Sequence, residues 1–314
     1  MDRKQSAIIR IVSWSVVAVI LSVVLMLGIN GRLWDHGWFS IGFNSSMAYR
    51  NADRYQAGGA EIKGDEVSNL EVNWIDGSVE IEVYDGDTIQ FSETSRSNLE
   101  EKEKLQYYND KGRLIIQYQK PNKKFFSFGS GNMNKELTIK IPVATAKRMG
   151  VVEVDTISTD SRIHGIMADK IELDSTSGDF EVVSCYTKKF AFDSTSGSLT
   201  GKSLIVEGEL DTDTINGDVE VEGSIQKANL GSTSGDIHID SDICPDKVVT
   251  DTINGDVILV IPENDGFTYE KDTINGSLEC EFQVTQRDDE GTYKNGGALF
   301  SFDSTSGDIT IKKR

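Results

Sequence analysis

The sequence predicts an all-β chain: a single-stack parallel β-solenoid of coils about 20 residues long, preceded by one N-terminal transmembrane α-helix. Three observations predict it: a corner motif that recurs at a near-constant interval, apolar alternation on both sides of that motif, and an uncharged run near the start of the chain.

The recurring unit reads Asp, two small or β-branched residues, Ser or Asn, Gly, Asp or Ser, then an alternating apolar strand. It starts at Asp174, Asp193, Asp213, Gly231, Asp251, Asp272 and Asp303, with a weaker copy at Asp155. The glycines Gly178, Gly197, Gly217, Gly235, Gly255 and Gly276 follow one another at steps of 19, 20, 18, 20 and 21 residues; the last step, to Gly307, is 31. A fixed period of this length marks a stack of supersecondary units, here with one insertion near Gln286 to Gly297.

Parity gives the faces. Residues two and four after the glycine are apolar in all copies but one, where Gly201 follows Gly197, as Val219 and Val221 are around Glu220, and Ile237 and Ile239 around His238. Apolar residues also recur seven and five positions before it, as in Ile171 and Leu173, Phe190 and Phe192, or Phe300 and Phe302. The two sets have opposite parity, so a chain that keeps both inside must bend between them. Gly, Asn and Asp supply the turn conformations for that bend. Two or three short strands per coil, stacked at ~4.8 Å, then bury a continuous core.

The predicted organisation is a cytoplasmic N-terminus at 1–10, a signal anchor at 11–29, a tether at 30–60, irregular β coils or a cap at 61–150, and regular repeats at 151–314. Residues Ile11 to Ile29 carry no charge and span about 28 Å as a helix, close to the ~30 Å hydrocarbon core. The run exceeds that of a cleaved leader, and no small-x-small site closes it. Arg3, Lys4 and Arg10 precede it and only Arg32 follows closely, which places the C-terminal part outside the cell. Trp34 and Trp38 then fall at headgroup level. Within 61–150, Ile75-Asp76-Gly77-Ser78-Val79 is a diverged corner, and a loop from Lys120 to Met133 carries Phe125, Phe126 and Phe128, which pack over the solenoid end or meet a partner.

Net charge is −19, with residues 1–35 at +2 and the remainder at −21, and such a charge repels nucleic acid and other polyanions. Cys185, Cys244 and Cys280 show neither a disulfide framework nor zinc-ligand spacing and read as small core residues.

The repeated acids are the sharpest candidates for chemistry. In a regular stack Asp155, Asp174, Asp193, Asp213, Asp251, Asp272 and Asp303 form one column, and Asp160, Asp179, Asp218, Asp236, Asp256 and Asp308 another. Neighbouring carboxylates at that spacing repel by about 0.9 kcal/mol in water and about 3.5 at an effective dielectric of 20. Backbone N–H groups at the corner, or Ca²⁺ between rungs, would relieve this. The chain lacks the nine-residue glycine–aspartate repeats of calcium-binding β-rolls, so no metal ligands are assigned. Catalytic and cofactor-binding residues are likewise none. Acids repeated in every rung mark architecture, and the three histidines, His36, His164 and His238, pair with no nucleophile motif. A polysaccharide-cleaving β-helix enzyme is the weakest of the three readings weighed.

Trp74, Gly77, Val79 and Ile81, the strand from Lys135 to Pro142, and the repeated Thr-x-Ser/Asn-Gly-Asp corners resemble the bacterial "putative adhesin" domain family of unknown function, LiaG-like proteins included. The resemblance covers about Glu61 to Arg314. It implies a β-solenoid at the cell envelope and transfers no catalytic residue. The expected function is a non-enzymatic surface binding, adhesion or scaffold module; the alternative is a membrane-anchored accessory of an envelope-stress system. The expected partners are the membrane and a cell-wall polymer, surface polymer or membrane protein.

Overall fold

The computed structural model describes residues 52–120 and 133–314. The predicted cytoplasmic segment 1–10, the anchor 11–29, most of the tether and the Phe125 loop lie outside the described residues. No helix among the described residues is long and apolar enough to cross a membrane.

The described chain is all-β. Each coil consists of one strand before the corner and one after it, so two parallel sheets face each other across a single core. In the Gly178 coil these are Met167–Ser177 and Phe180–Val183. In the Gly255 coil they are Lys247–Asn254 and Val257–Ile261. The inward residues are the apolar pairs that parity selects: Ile171, Leu173, Phe180, Val182, Phe190, Phe192, Val219, Val221, Ile237 and Ile239 are all buried. The hydroxyl three residues before the glycine also points in, as Ser175 and Thr214 do. The bend is therefore confined to the glycine and its two neighbours. At the opposite corner the chain turns through residues of positive φ, among them Gly165 (76°), Ser184 (53°) and Ser203 (52°).

Register runs straight up the stack. Asp155 aligns with Asp174, Asp174 with Asp193, Asp193 with Asp213, Asp213 with Gly231, and Gly231 with Asp251. The glycines approach one another closely. A Cβ on Gly217 would sit 2.0 Å from the Gly197 carbonyl oxygen, and one on Gly235 would sit 2.2 Å from that of Gly217. No side chain fits there, so glycine at this position is a packing requirement.

Chain order and stacking order differ at both ends. The coil that contains Ala298–Ser306 and Ile309–Lys313 lies between the Gly255 and Gly276 coils: Asp303 aligns with Asp251 on one side and Asp272 on the other. Likewise Asn69–Tyr84, with its corner at Gly77, pairs with Met149–His164 on one side, and with Arg113–Gln117 and Lys135–Pro142 on the other. The 31-residue glycine step thus marks a coil placed out of sequence. The intervening Val284–Arg287 and Glu290–Lys294 form an antiparallel hairpin on the last coil.

In stacking order the corners alternate. From the Gly197 coil onward they read Ser-Thr-Ser (194–196), Thr-Ile-Asn (214–216), Ser-Thr-Ser (232–234), Thr-Ile-Asn (252–254), Ser-Thr-Ser (304–306) and Thr-Ile-Asn (273–275). Large and small side chains then interleave at the strand spacing. In chain order the alternation fails, because the Asp251 and Asp272 copies are both Thr-Ile-Asn.

Both ends carry antiparallel additions. Gln106–Asp110 covers the first sheet and Thr88–Thr94 the second at one end. At the other, Phe267 packs against Phe282, Tyr293 and Phe300 with ring centroids 5.0 to 5.4 Å apart and plugs the core.

Candidate functional site: the corner columns and the adjoining groove

The stack separates the two acid columns into different environments. In the column after the glycine each carboxylate accepts the backbone N–H of the next coil. Asp160 accepts from Asp179 at 3.1 Å, Asp179 from Ser198 at 2.8 Å, Asp218 from Asp236 at 2.9 Å, and Asp236 from Asp256 at 2.8 Å. Asp256 accepts from Asp308 at 2.7 Å, and Asp308 from Ser277 at 2.8 Å. Where Ser198 replaces the acid, its hydroxyl accepts from Asp218 at 3.2 Å. The bonds run between coils, not within each turn, and charge-assisted acceptors of this kind favour the ionised form. Asp308, held by the Ser277 backbone and hydroxyl, accordingly lies below the ordinary carboxylate range.

Three acids of the column before the glycine shift the other way. Lost hydration first, then the charges of Asp174 and Asp213, push Asp193 up to about 6. Asp174 and Asp213 are raised too, again chiefly by lost hydration. Beside this column a file of buried hydroxyls bonds within and between corners: Thr156 to Ser175 at 3.1 Å, Thr214 to Ser232 at 3.2 Å, and Thr214 to the Gly217 carbonyl at 3.0 Å. Sequence reasoning classed these residues only as small or β-branched; their inward parity was the available signal. Among the described residues no three His, Cys, Asp or Glu side chains converge to hold a metal ion.

Next to the ladder, an open groove of about 510 Å³ crosses the outer face of the second sheet. Ser78, Glu80, Asp160, Arg162, Asp179, Glu181, Thr200 and Lys202 line it, drawn from four neighbouring coils. Alternation puts their side chains outward while Val79 and Phe180 face the core. Glu181 sits between two cations, 3.1 Å from Lys202 and 3.5 Å from Arg162. The hydrogen bond from Lys202 holds its carboxyl below the usual range. The groove thus presents alternating signs and hydroxyls on a rigid sheet.

A second cluster lies in the residues before the regular repeats. The Lys135 ammonium is fully buried, 2.5 Å from Glu93 and 2.8 Å from the Glu103 carbonyl. It stands over the Trp74 and Tyr118 rings at 5.0 and 4.2 Å. Burial lowers the Lys135 pKa despite its acidic partner. The Tyr118 hydroxyl bonds to Asp76, and burial followed by that bond raises its pKa. With no exposed atom, Lys135 reads as an internal tie.

The cysteines are unpaired thiols: Cys185 is buried, and Cys244 and Cys280 pack partly buried against the core. Burial pushes Cys185 and Cys244 up to about 11. His164 is exposed, and His238 points outward from its strand.

Residues 67–312 match the family model described as Toastrack DUF4097. The chain belongs to the Toastrack DUF4097 family. The match takes in the Trp74, Gly77 and Lys135 strands and all seven full corner copies, the pieces on which the resemblance rested. Three solved structures resemble this Toastrack chain over 82% of its length. They are a "putative adhesin" from Bacteroides fragilis (15% identity, 97% of that chain, TM-score 0.42), a "putative cell adhesion protein" from Clostridium sporogenes (11%, 100%, 0.27) and a "putative lipid binding protein" from Parabacteroides distasonis (15%, 97%, 0.49). No curated protein matches the chain.

Proposed function

We infer that this Toastrack chain is a non-enzymatic binding module of the bacterial envelope, displayed outside the cell on a signal anchor at 11–29 and a tether at 30–60. In this reading residues 61–150 close the near end of the solenoid, and residues 151–314 extend it. The groove bounded by Glu80, Arg162, Glu181 and Lys202 carries the proposal. It is open and rigid, crosses several coils, and offers paired opposite charges beside Ser78 and Thr200, a lining suited to an extended polar polymer. The net charge of −19 repels polyanions. The ligand class is therefore a neutral or zwitterionic wall or surface polymer.

Two observations weigh against glycan cleavage. The acids beside the groove, Asp160 and Asp179, already accept backbone N–H groups, and Lys202 holds the Glu181 carboxyl below its usual range, the opposite of what a general acid needs. The test is retention of the detergent-purified full chain on isolated cell wall. Retention that falls ~10-fold in the double variant Arg162→Glu, Lys202→Glu supports the reading. Retention unchanged by that variant removes the groove from it. Capture of a membrane protein with no wall retention favours the envelope-stress accessory, and shortened polysaccharide products would revive the enzyme.

A further inference from the structure

Among the described residues, the last coil joins the parallel stack through the C-terminal segment. Among the described residues, Gly266–Asn275 pairs with Ala298–Ser306 and with its own hairpin strand Glu290–Lys294; Leu278–Cys280 pairs with Ile309–Lys313 alone. Neither pairs with Lys247–Asn254 or Val257–Ile261, the coil that precedes them in sequence. Those strands pair instead with Ala298–Ser306 and Ile309–Lys313. Residues 266–280 are therefore made before their parallel partners, Ala298–Ser306 and Ile309–Lys313, exist.

The inserted segment fits its position on every side. Phe300, Phe302, Ile309 and Ile311 fill the core. A Cβ on Gly307 would lie 2.1 Å from the Gly255 oxygen, and one on Gly276 would lie 2.0 Å from the Gly307 oxygen. Asp308 donates its N–H to Asp256 and accepts that of Ser277. The final residues tie outward: Lys313 pairs with Glu263 and donates its N–H to Glu281 at 2.8 Å, and Arg314 pairs with Asp240 at 3.4 Å. The Ser-Thr-Ser corner at 304–306 is the type that alternation requires between two Thr-Ile-Asn corners.

We propose that Ala298–Arg314 is a keystone segment, and that the slot between the Gly255 and Gly276 coils is a strand-accepting site specific for it, able to take the same segment supplied as a separate chain. The slot recognises a strand–corner–strand by two-sided parallel pairing, the ladder carboxylate of Asp256 and glycine-only clearance at the corner. Its occupation docks the Gly276 coil and the hairpin as one unit.

The test is hydrogen exchange on the detergent-purified full chain and on a chain ending at Gly297. The truncated chain should lose protection over 266–280 by roughly 100-fold while 149–241 stay protected. Adding a synthetic peptide of residues 298–314 should restore it, and a peptide carrying Gly307→Ala and Asp308→Ala should not. Protection of 266–280 without the segment overturns the proposal, as does failure of the wild-type peptide to restore it while 149–241 remain protected. Should truncation prevent folding, Gly307→Ala in the full chain decides. Joint loss of protection over 266–280 and 298–314 supports the keystone, and retention over 266–280 overturns it.

Discussion

The carboxylate of Asp256 accepts the backbone N–H of Asp308 at 2.7 Å, although the two residues stand 52 positions apart in the chain. The bond from Asp256 to the Asp236 carboxylate is the same, at 2.8 Å and 20 positions. The ladder is thus a property of stacking and is indifferent to chain order. It also explains why the acid after the glycine recurs: each copy satisfies a backbone donor that the bend removes from the sheet.

Asp193 and Asp308 should respond to pH with opposite signs. Asp193 is raised to about 6 from an ordinary 3.8, so its ionisation opposes folding, and that penalty is relieved as pH falls from about 6 toward 3.8. Asp308 is lowered, so its contribution is present above 3.8 and fades as pH falls through its lower folded value. Asp193→Asn should raise the urea midpoint at pH 7 and leave it unchanged at pH 3.5. Asp308→Ala should lower the midpoint at pH 7, and the loss should shrink as pH falls. Parallel behaviour of both variants would mean that the columns are equivalent.

Gly217→Ala should destabilise by about 3 kcal/mol, because the new methyl meets a backbone oxygen that the sheet holds in place. The contrast is Gly58→Ala, where φ is positive (88°) but nothing lies within 4 Å; about 1 kcal/mol is expected there. Equal losses in denaturant titrations would show that the close approach at Gly217 adds nothing to the cost of a side chain there.

The period, the apolar parity and the corner were legible in the sequence because each is local: Val219 and Val221 declare their face within one strand. The order of the coils was not, since glycine intervals measure chain length and pairing partners are chosen by packing. Two signals bore on it, the 31-residue step and the adjacent Thr-Ile-Asn copies at Asp251 and Asp272, and both become readable once corner types are compared. The acid columns looked alike in sequence. Asp193 loses hydration beside like charges, whereas Asp236 accepts a backbone N–H from the next coil, and that difference of surroundings depends on the bend. Of the candidate site, the repeated acids were visible; the Glu80, Arg162, Glu181 and Lys202 groove was not, because it joins coils up to 122 residues apart in the chain.

Lys135→Ala should cost about 3–5 kcal/mol by leaving the buried Glu93 carboxylate unpaired. The double variant Lys135→Met, Glu93→Leu should recover most of that loss, since both charges leave together. A double variant no better than the single one would show that the ammonium acts mainly through the Glu103 and Tyr118 carbonyls and the two rings.

Calcium should leave the melting temperature unchanged, because backbone N–H groups already occupy the ladder carboxylates from Asp160 to Asp308. Calorimetry with calcium and with a chelator checks this, and a rise of several degrees with the ion would reassign the columns as a cation site.

The most direct test of the stacking order is disulfide formation between paired cysteine substitutions on the exposed corner. Thr305 lies between Ile253 and Ile274, one strand spacing (~4.8 Å) from each, which puts the two isoleucines ~9.6 Å apart. A disulfide needs Cα atoms about 4.4–6.8 Å apart. The account predicts rapid, quantitative oxidation of the Ile253→Cys, Thr305→Cys pair and none of the Ile253→Cys, Ile274→Cys pair. The reverse result would place the coils in chain order and contradict it.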